Sequence, residues 1–306
     1  MKAPRLLRLV AICLCLCLCL PLTACSKYRV EMSNEEQSRT VLSIDGYEVP
    51  FEVLYFFYHN SVSATHEERL ADAMRDTAEL YAIFSVLRAR GVDPFGAEMN
   101  ARLDDAVREM IDSFDTRRDY IASLEARHMT DNACRILTRA YLCEARLQES
   151  DMREAMKDEI PTFCAGEGVV RAMALVVYFQ NSSLREWAEG RADEIKGLLA
   201  MAPDTDAAFE EIAGSEAVFE AHNYMTLGQL RELLGEDSDF TPDEGYVSDA
   251  LFDSTSFIIL RIAEKDLAYT ETHPETILPA YIDYLISEAT VRDLSLLFAV
   301  SEADFV

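Results

Sequence analysis

The stretch RAMALVVYF, Arg171–Phe179, is an apolar run rich in β-branched and aromatic residues, with a polar loop behind it from Gln180 to Ser183. Its length and composition mark a buried strand. It also marks a change of texture. Before Gly166 the chain reads helical, and after it strands and helices alternate.

Downstream, a helix carries Leu184, Trp187, Ala188, Ile195, Leu198 and Leu199 as its expected buried face, with Pro203 ending it. A short helix at Asp206–Ala213, a strand at Phe219–Met225 and a helical turn at Leu227–Leu234 follow. Two strands, Gly245–Phe252 and Ser256–Ala263, close the segment around Asp253-Ser254-Thr255. The order β-α-α-β-α-β-β predicts a small α+β domain.

Upstream, VLSIDGYEV (Val41–Val49) alternates around Asp45-Gly46, a hairpin signal. Pro50 opens a helix, as proline does in a first turn. Thr130 is placed as an N-cap, with Ala133, Ile136, Leu137, Ala140 and Tyr141 at helical spacing behind it. That helix is expected to reach about Glu159, where Pro161 stops it. Four successive rings, Tyr55, Phe56, Phe57 and Tyr58, point all round a helix, so some are expected at a surface or groove. Near the end, Ile282, Leu285, Ile286 and Ala289 predict an amphipathic helix over Pro279–Val300 that returns to the N-terminal helices. The fold class expected is α+β: a mostly helical body built from both chain ends, with the small domain inserted.

Lys2, Arg5 and Arg8 precede an apolar run from Leu9 to Leu20, shorter than the ~20 residues that span a bilayer. Leu22-Thr23-Ala24-Cys25 ends it, a sequence that resembles a bacterial lipobox. The expectation is cleavage before Cys25, lipidation of its sulfur, and an extracytoplasmic protein tethered to a bacterial cell membrane. The expected domains are a signal peptide at 1–24, a tether at 25–40, helices at 41–165, the α+β domain at 166–265 and the C-terminal segment at 266–306.

The 306 residues hold 28 Lys and Arg against 55 Asp and Glu, a formal net charge of −27. Removing the basic signal leaves the chain more acidic still. Nucleic acid is thereby excluded as a general partner. No cofactor or metal is expected, because His59, His128 and His273 lack ligand spacing and His66-Glu67-Glu68-Arg69 lacks the second histidine of a zinc-protease helix. Cys134 and Cys143 share a predicted helix about 13 Å apart, beyond disulfide reach. With Cys164, they are expected to act as small buried hydrophobes.

Four stretches carry a likeness. SIDGYEVPFEVLYFFY (Ser43–Tyr58) is similar to the opening of the helical domain in parvulin-type extracytoplasmic foldases of the PrsA and SurA group. Val170–Val176 resembles their first parvulin strand, and Phe209-Glu210-Glu211-Ile212-Ala213-Gly214-Ser215-Glu216 a helix end before the second strand. GYVSDALFDSTSFIILRI (Gly245–Ile262) resembles the final hairpin.

The resemblance implies a membrane-anchored foldase or chaperone whose partners are unfolded secreted proteins. It also implies two facing histidines. Their positions fall on Ala174 and on Ile258, or on Phe257 if the register slips by one. No catalytic residue is therefore intact. Glu220 and His222 are the candidates for residual polar groups, and Leu230 and Leu233 for the apolar wall that would hold a prolyl ring. Prolyl isomerisation only rotates an amide over a barrier of ~18–20 kcal/mol, so loss of the histidines does not by itself forbid activity. Three readings follow: a chaperone without efficient isomerisation, a prolyl isomerase with a rebuilt site, and a lipoprotein that binds one specific partner.

Overall fold

The computed structural model describes residues 38–179, 182–202, 205–212, 218–235, 240–253, 255–290, 294–296 and 302–305. Cys25, the signal segment before it and the Gly214-Ser215-Glu216 part of the resemblance lie outside the described residues. In chain order the elements are β1 (Thr40–Ile44), β2 (Tyr47–Pro50), α1 (Phe51–Asn60), α2 (His66–Ala89), α3 (Ala97–Asp112), α4 (Arg117–Glu125), α5 (Asp131–Leu147), α6 (Ser150–Met156) and α7 (Ile160–Ala165). They continue with β3 (Val169–Tyr178), a 3-10 turn (Ser182–Leu184), α8 (Arg185–Met201), α9 (Thr205–Ile212), β4 (Val218–Thr226), α10 (Leu227–Leu234), β5 (Leu251–Asp253) and β6 (Ser256–Ala263). The chain closes with α11 (Leu267–Thr272), α12 (Pro274–Thr290), β7 (Leu294–Leu296) and a second 3-10 turn (Glu302–Phe305). The fold is α+β and mostly helical, with a four-stranded antiparallel sheet interleaved with helices in its middle region. Two compact units divide the chain, one running to Met152 and resuming at Leu285, the other covering Arg153–Tyr284.

In the first unit Asp45 and Gly46 both take positive φ (50° and 79°), the geometry of a tight hairpin turn, and Ile44 pairs with Tyr47 across it. Pro50 is the N-cap of α1. All four rings Tyr55–Tyr58 are buried, contrary to the expectation that some reach a surface. The helix is wrapped on every side by α2, α5, the β1–β2 hairpin and the C-terminal 3-10 turn. Thr130 caps α5 by accepting from the Ala133 amide at 3.0 Å. Its hydroxyl also donates to the buried Glu52 carboxylate, which accepts from Asn132 Nδ2 as well, so α1 is tied to the start of α5.

Two helix boundaries differ from expectation. The helix after Thr130 ends at Leu147, and Pro161 stands in the first turn of α7, where its missing N–H is no loss, instead of stopping a longer helix. The C-terminal helix runs from Pro274 to Thr290 with Pro279 inside it, not from Pro279 to Val300. Leu294–Leu296 beyond it is a strand paired antiparallel with β1, Leu42 opposite Leu296. Leu-Ser-Leu suits a strand's period of two, and the open edge of β1 offers it unpaired backbone groups.

The second unit is organised by β3. Its sheet has the order β4-β3-β6-β5, every neighbour antiparallel. Met173, Leu175 and Val177 pack on Ala188, Ala192, Ile195 and Leu199 of α8. Ala172, Ala174 and Val176 face the other way, under Leu230 of α10. Burial on both faces explains the unbroken apolar run. Leu184, Trp187 and Leu198, expected on the buried face of α8, are exposed. Trp187 and Leu198 each precede a buried position, 188 and 199, by one residue. A step of one residue turns a side chain about 100° from the buried stripe. Tyr281 and Tyr284 of α12 rest on Phe163 of α7, with ring centroids 5.3 and 5.0 Å away.

Candidate functional site

The candidate site is the sheet layer that holds Ala174 and Ile258. On β3, Ala174 pairs with Leu260 and Val176 with Ile258 of β6. Pleating puts Ala174, Val176, Ile258 and Leu260 on one face, while Phe257 points to the α8 face with Leu175 and Val177. Ile258, not Phe257, therefore shares the Ala174 layer. The layer is closed: Ala174 is 0% exposed, Ile258 1% and Leu230 0%, and Leu227, Leu233, Tyr246 and Leu251 pack around its margin. Its fully buried members are all aliphatic, and none of them can hydrogen-bond or titrate through its side chain.

A buried polar side chain borders the layer at Ser248, which the sequence did not single out. Its amide donates to the Leu260 carbonyl at 2.8 Å, and its hydroxyl accepts from the Leu260 amide at 2.9 Å. The same hydroxyl donates to the Asp249 carbonyl at 2.8 Å. Ser248 thus fills a gap in the ladder where the expected strand Gly245–Phe252 breaks. That strand pairs irregularly near Gly245 and Val247 and resumes as β5 at Leu251. No sequence signal separates such a serine from an ordinary turn residue.

The other candidates do not converge on Ala174. Glu220 of β4 is paired with Ala174 through the backbone, but its side chain lies outside what is described. His222 sits in the bulge where two residues of β4 oppose Met173. Its ring stacks on Tyr269 of α11 with centroids 3.5 Å apart, and His273 stacks on the far side of Tyr269 at 4.2 Å. Burial, then Arg171 and His273, hold its pKa below the usual histidine value, with Asp266 opposing. Leu230 and Leu233 belong to the packed layer itself.

Cys134, Cys143 and Cys164 are buried thiols, and burial pushes Cys143 and Cys164 up to about 12. Among the described residues no group of three or more His, Cys, Asp or Glu could hold a metal ion. No described helix is long and apolar enough to cross a membrane.

No family model and no curated protein matches the chain. Among solved structures it is similar to the foldase protein PrsA from Streptococcus pneumoniae, with 14% identity over 87% of this chain and 97% of that one and a TM-score of 0.27. PrsA from Bacillus subtilis is 16% identical over 83% of this chain and 91% of that one, at a TM-score of 0.24. PrsA from Lactococcus lactis is 12% identical over 88% and 97%, at 0.25. Scores this low carry no functional argument, and the site has to speak through its own residues.

Proposed function

We propose that this chain is a membrane-anchored extracytoplasmic lipoprotein that acts as a chaperone or foldase for secreted proteins, without efficient prolyl isomerisation. The observation that carries the reading is the closed aliphatic layer at Ala174 and Ile258, where the sequence resemblance implies two histidines. A site that fits a twisted amide better than a planar one needs room and a polar surround. Here the side chains pack against one another instead. The module keeps a shape whose polar centre has become core, and replacing a buried polar pair by apolar residues can be neutral or favourable for folding.

Client binding finds support elsewhere in the same unit. Tyr178, Leu184, Trp187 and Phe252 are large and exposed, and the Arg185 guanidinium lies 4.2 Å over the Phe252 ring. Exposed apolar and aromatic side chains of this kind suit extended apolar segments of unfolded chains. Two assays test the reading. The purified mature chain is expected to leave the cis–trans exchange of a prolyl tetrapeptide at its background rate and to suppress aggregation of several unrelated unfolded proteins. Acceleration like that of an active parvulin would overturn the first half. Suppression confined to one protein would favour a lipoprotein with a single partner. For the anchor, Cys25→Ser is expected to release the protein from membranes or leave it uncleaved.

A further inference from the structure

The five histidines of the chain gather in two places. His222 and His273 enclose Tyr269. The other three surround the C-terminal 3-10 turn. Phe305 is 3% exposed and lies nearly parallel to Tyr58, with centroids 3.8 Å apart. Phe51 is 5.4 Å from it, His66 6.0 Å, Tyr55 6.3 Å and His59 6.5 Å. His128 stacks face to face on His59 at 4.5 Å and 15°, and Tyr55 lies 4.2 Å from His59. The position of His128 is built in. It takes φ 55° in the turn between α4 and α5, which the Met129 amide closes on the Leu124 carbonyl at 3.0 Å. Asn60, at the end of α1, donates to the Arg127 carbonyl of that turn at 3.1 Å. Asp304 of the C-terminal turn also makes a partly exposed ion pair with Arg39 at 3.2 Å.

We propose that the Phe305 contact is an acid-sensitive latch: protonation of the stacked His59–His128 pair releases residues 302–305 from α1 and uncovers the aromatic face of Phe51, Tyr55 and Tyr58. A neutral imidazole pair stacks without electrostatic cost, whereas two imidazolium rings at this distance repel. The charged groups that act on His59 do not relieve that repulsion. On α1 the neighbours of the pair are Tyr55 and Tyr58. On α2 they are His66, whose Nδ1 is 2.9 Å from the Tyr58 hydroxyl, and the cationic Arg69. On the C-terminal turn, Asp304 is engaged with Arg39, and the Phe305 backbone is the single neighbour that favours a charged His59.

Burial first, then His128 and Arg69, hold His59 down to about 4, and burial lowers His128 as well. Both values lie below the ordinary histidine value of 6.5, so the closed form refuses protons that the open form accepts. Closure is therefore fully favoured above about pH 6.5 and weakens as pH falls toward about 4. The opening constant rises by up to about tenfold per pH unit through His59 alone. The last residues give way before the unit does because a short terminal segment opens at a smaller cost than global unfolding.

Amide hydrogen exchange on the full chain tests this. Protection of residues 302–305, corrected for the intrinsic exchange rate, is expected to fall about tenfold or more between pH 6 and pH 5, while protection of β3 stays level. His128→Phe keeps a stacked ring without its charge and is expected to hold the turn closed with a flat profile. Phe305→Ala is expected to bind an apolar dye at pH 7 as strongly as the wild type does at pH 5. A flat wild-type profile from pH 7 to 4.5, or an undiminished fall in His128→Phe, overturns the latch. Should His128→Phe not fold, the imidazole resonances of the wild type decide. Midpoints of His59 and His128 below 6.5 support the latch, and midpoints at or above it overturn it.

Discussion

Beneath the sheet of the second unit, the fully buried side chains around Ala174 and Ile258 are all aliphatic, whereas the interior of the first unit holds ionisable groups among its apolar residues. Glu52 and Glu144 are buried there, and His59 and His128 stack half-buried against Tyr55. Two interiors of one chain thus solve the problem of buried polarity in opposite ways. The sheet unit keeps polar side chains out of this layer altogether. The helical unit keeps them, with full partners for Glu52 and incomplete ones for Glu144, whose Oε2 is buried without a hydrogen-bond partner among the described residues. The contrast teaches that the ionisable groups of the helical unit should give a pH response, and that the aliphatic layer under the sheet should add none.

The strongest attempt to break this contrast is to restore polarity under the sheet. Ala174→His with Ile258→His places two imidazoles in a closed layer. Each loses ~1–3 kcal/mol to an unmet hydrogen bond, and overpacking at Ala174 adds ~1–3 kcal/mol. The double variant is expected to lose several kcal/mol in urea denaturation and to gain no isomerase activity. Stability within about 1 kcal/mol of wild type, together with prolyl isomerisation, would show the layer to be an open site.

Removing the best-paired buried charge is the next largest change. Glu52→Ala deprives Thr130 and Asn132 of their shared acceptor and frees α1 from the start of α5. A loss of ~2–4 kcal/mol is expected from two stranded donors and the vacated space. Glu52→Gln keeps the shape and one acceptor oxygen, so it should cost less. Equal costs for the two would mean that Glu52 matters through its two-acceptor carboxylate and not through its volume.

Glu144 sharpens the comparison through pH. Burial raises its carboxyl from 4.5 to about 7. The folded chain therefore binds a proton between these values that the unfolded chain does not, so this contribution is full below about pH 4.5 and is lost as pH rises through about 7. Glu144→Gln is expected to stabilise the protein by ~1–3 kcal/mol at pH 8 and to be near neutral at pH 4.5. The histidine stack has the opposite sign, since its closed form is lost as pH falls. A variant whose stability still declines from pH 5 to pH 8 as the wild type's does would remove Glu144 as the cause.

The elements that were legible in the sequence are those whose local pattern agrees with their surroundings. Arg171–Phe179 is apolar because β3 is covered on both faces, and Asp45-Gly46 makes a turn because both residues take positive φ. The order of strands and helices from Val169 to Ala263 follows from the same signals. Where long-range contacts decide, local pattern fails. Nothing near Leu294 announces that its partner is Leu42–Ile44, and nothing near Phe305 announces the rings of α1. Histidines far apart in sequence carried no ligand spacing, yet His59 and His128 meet because α1 packs beside the turn that precedes α5. At the candidate site, the choice between Phe257 and Ile258 needed the strand register, which a one-residue slip would invert.

Trp187 gives the smallest expected effect on stability and the cleanest separation of packing from binding. Counted by apolar pattern alone it belongs to the buried stripe of α8, but that stripe is Ala188, Ala192, Ile195 and Leu199, and Trp187 is 50% exposed. A half-exposed side chain that makes no capping hydrogen bond and lines no cavity or buried network changes stability by only about 0.5 kcal/mol or less when replaced. Trp187→Gln should therefore unfold at nearly the wild-type urea concentration. If the exposed rings near Phe252 receive apolar client segments, the same variant should suppress aggregation less well. A drop in stability of 2 kcal/mol or more would return Trp187 to the core. Unchanged stability with unchanged suppression would leave the core assignment of α8 intact and move client binding away from this end of the sheet.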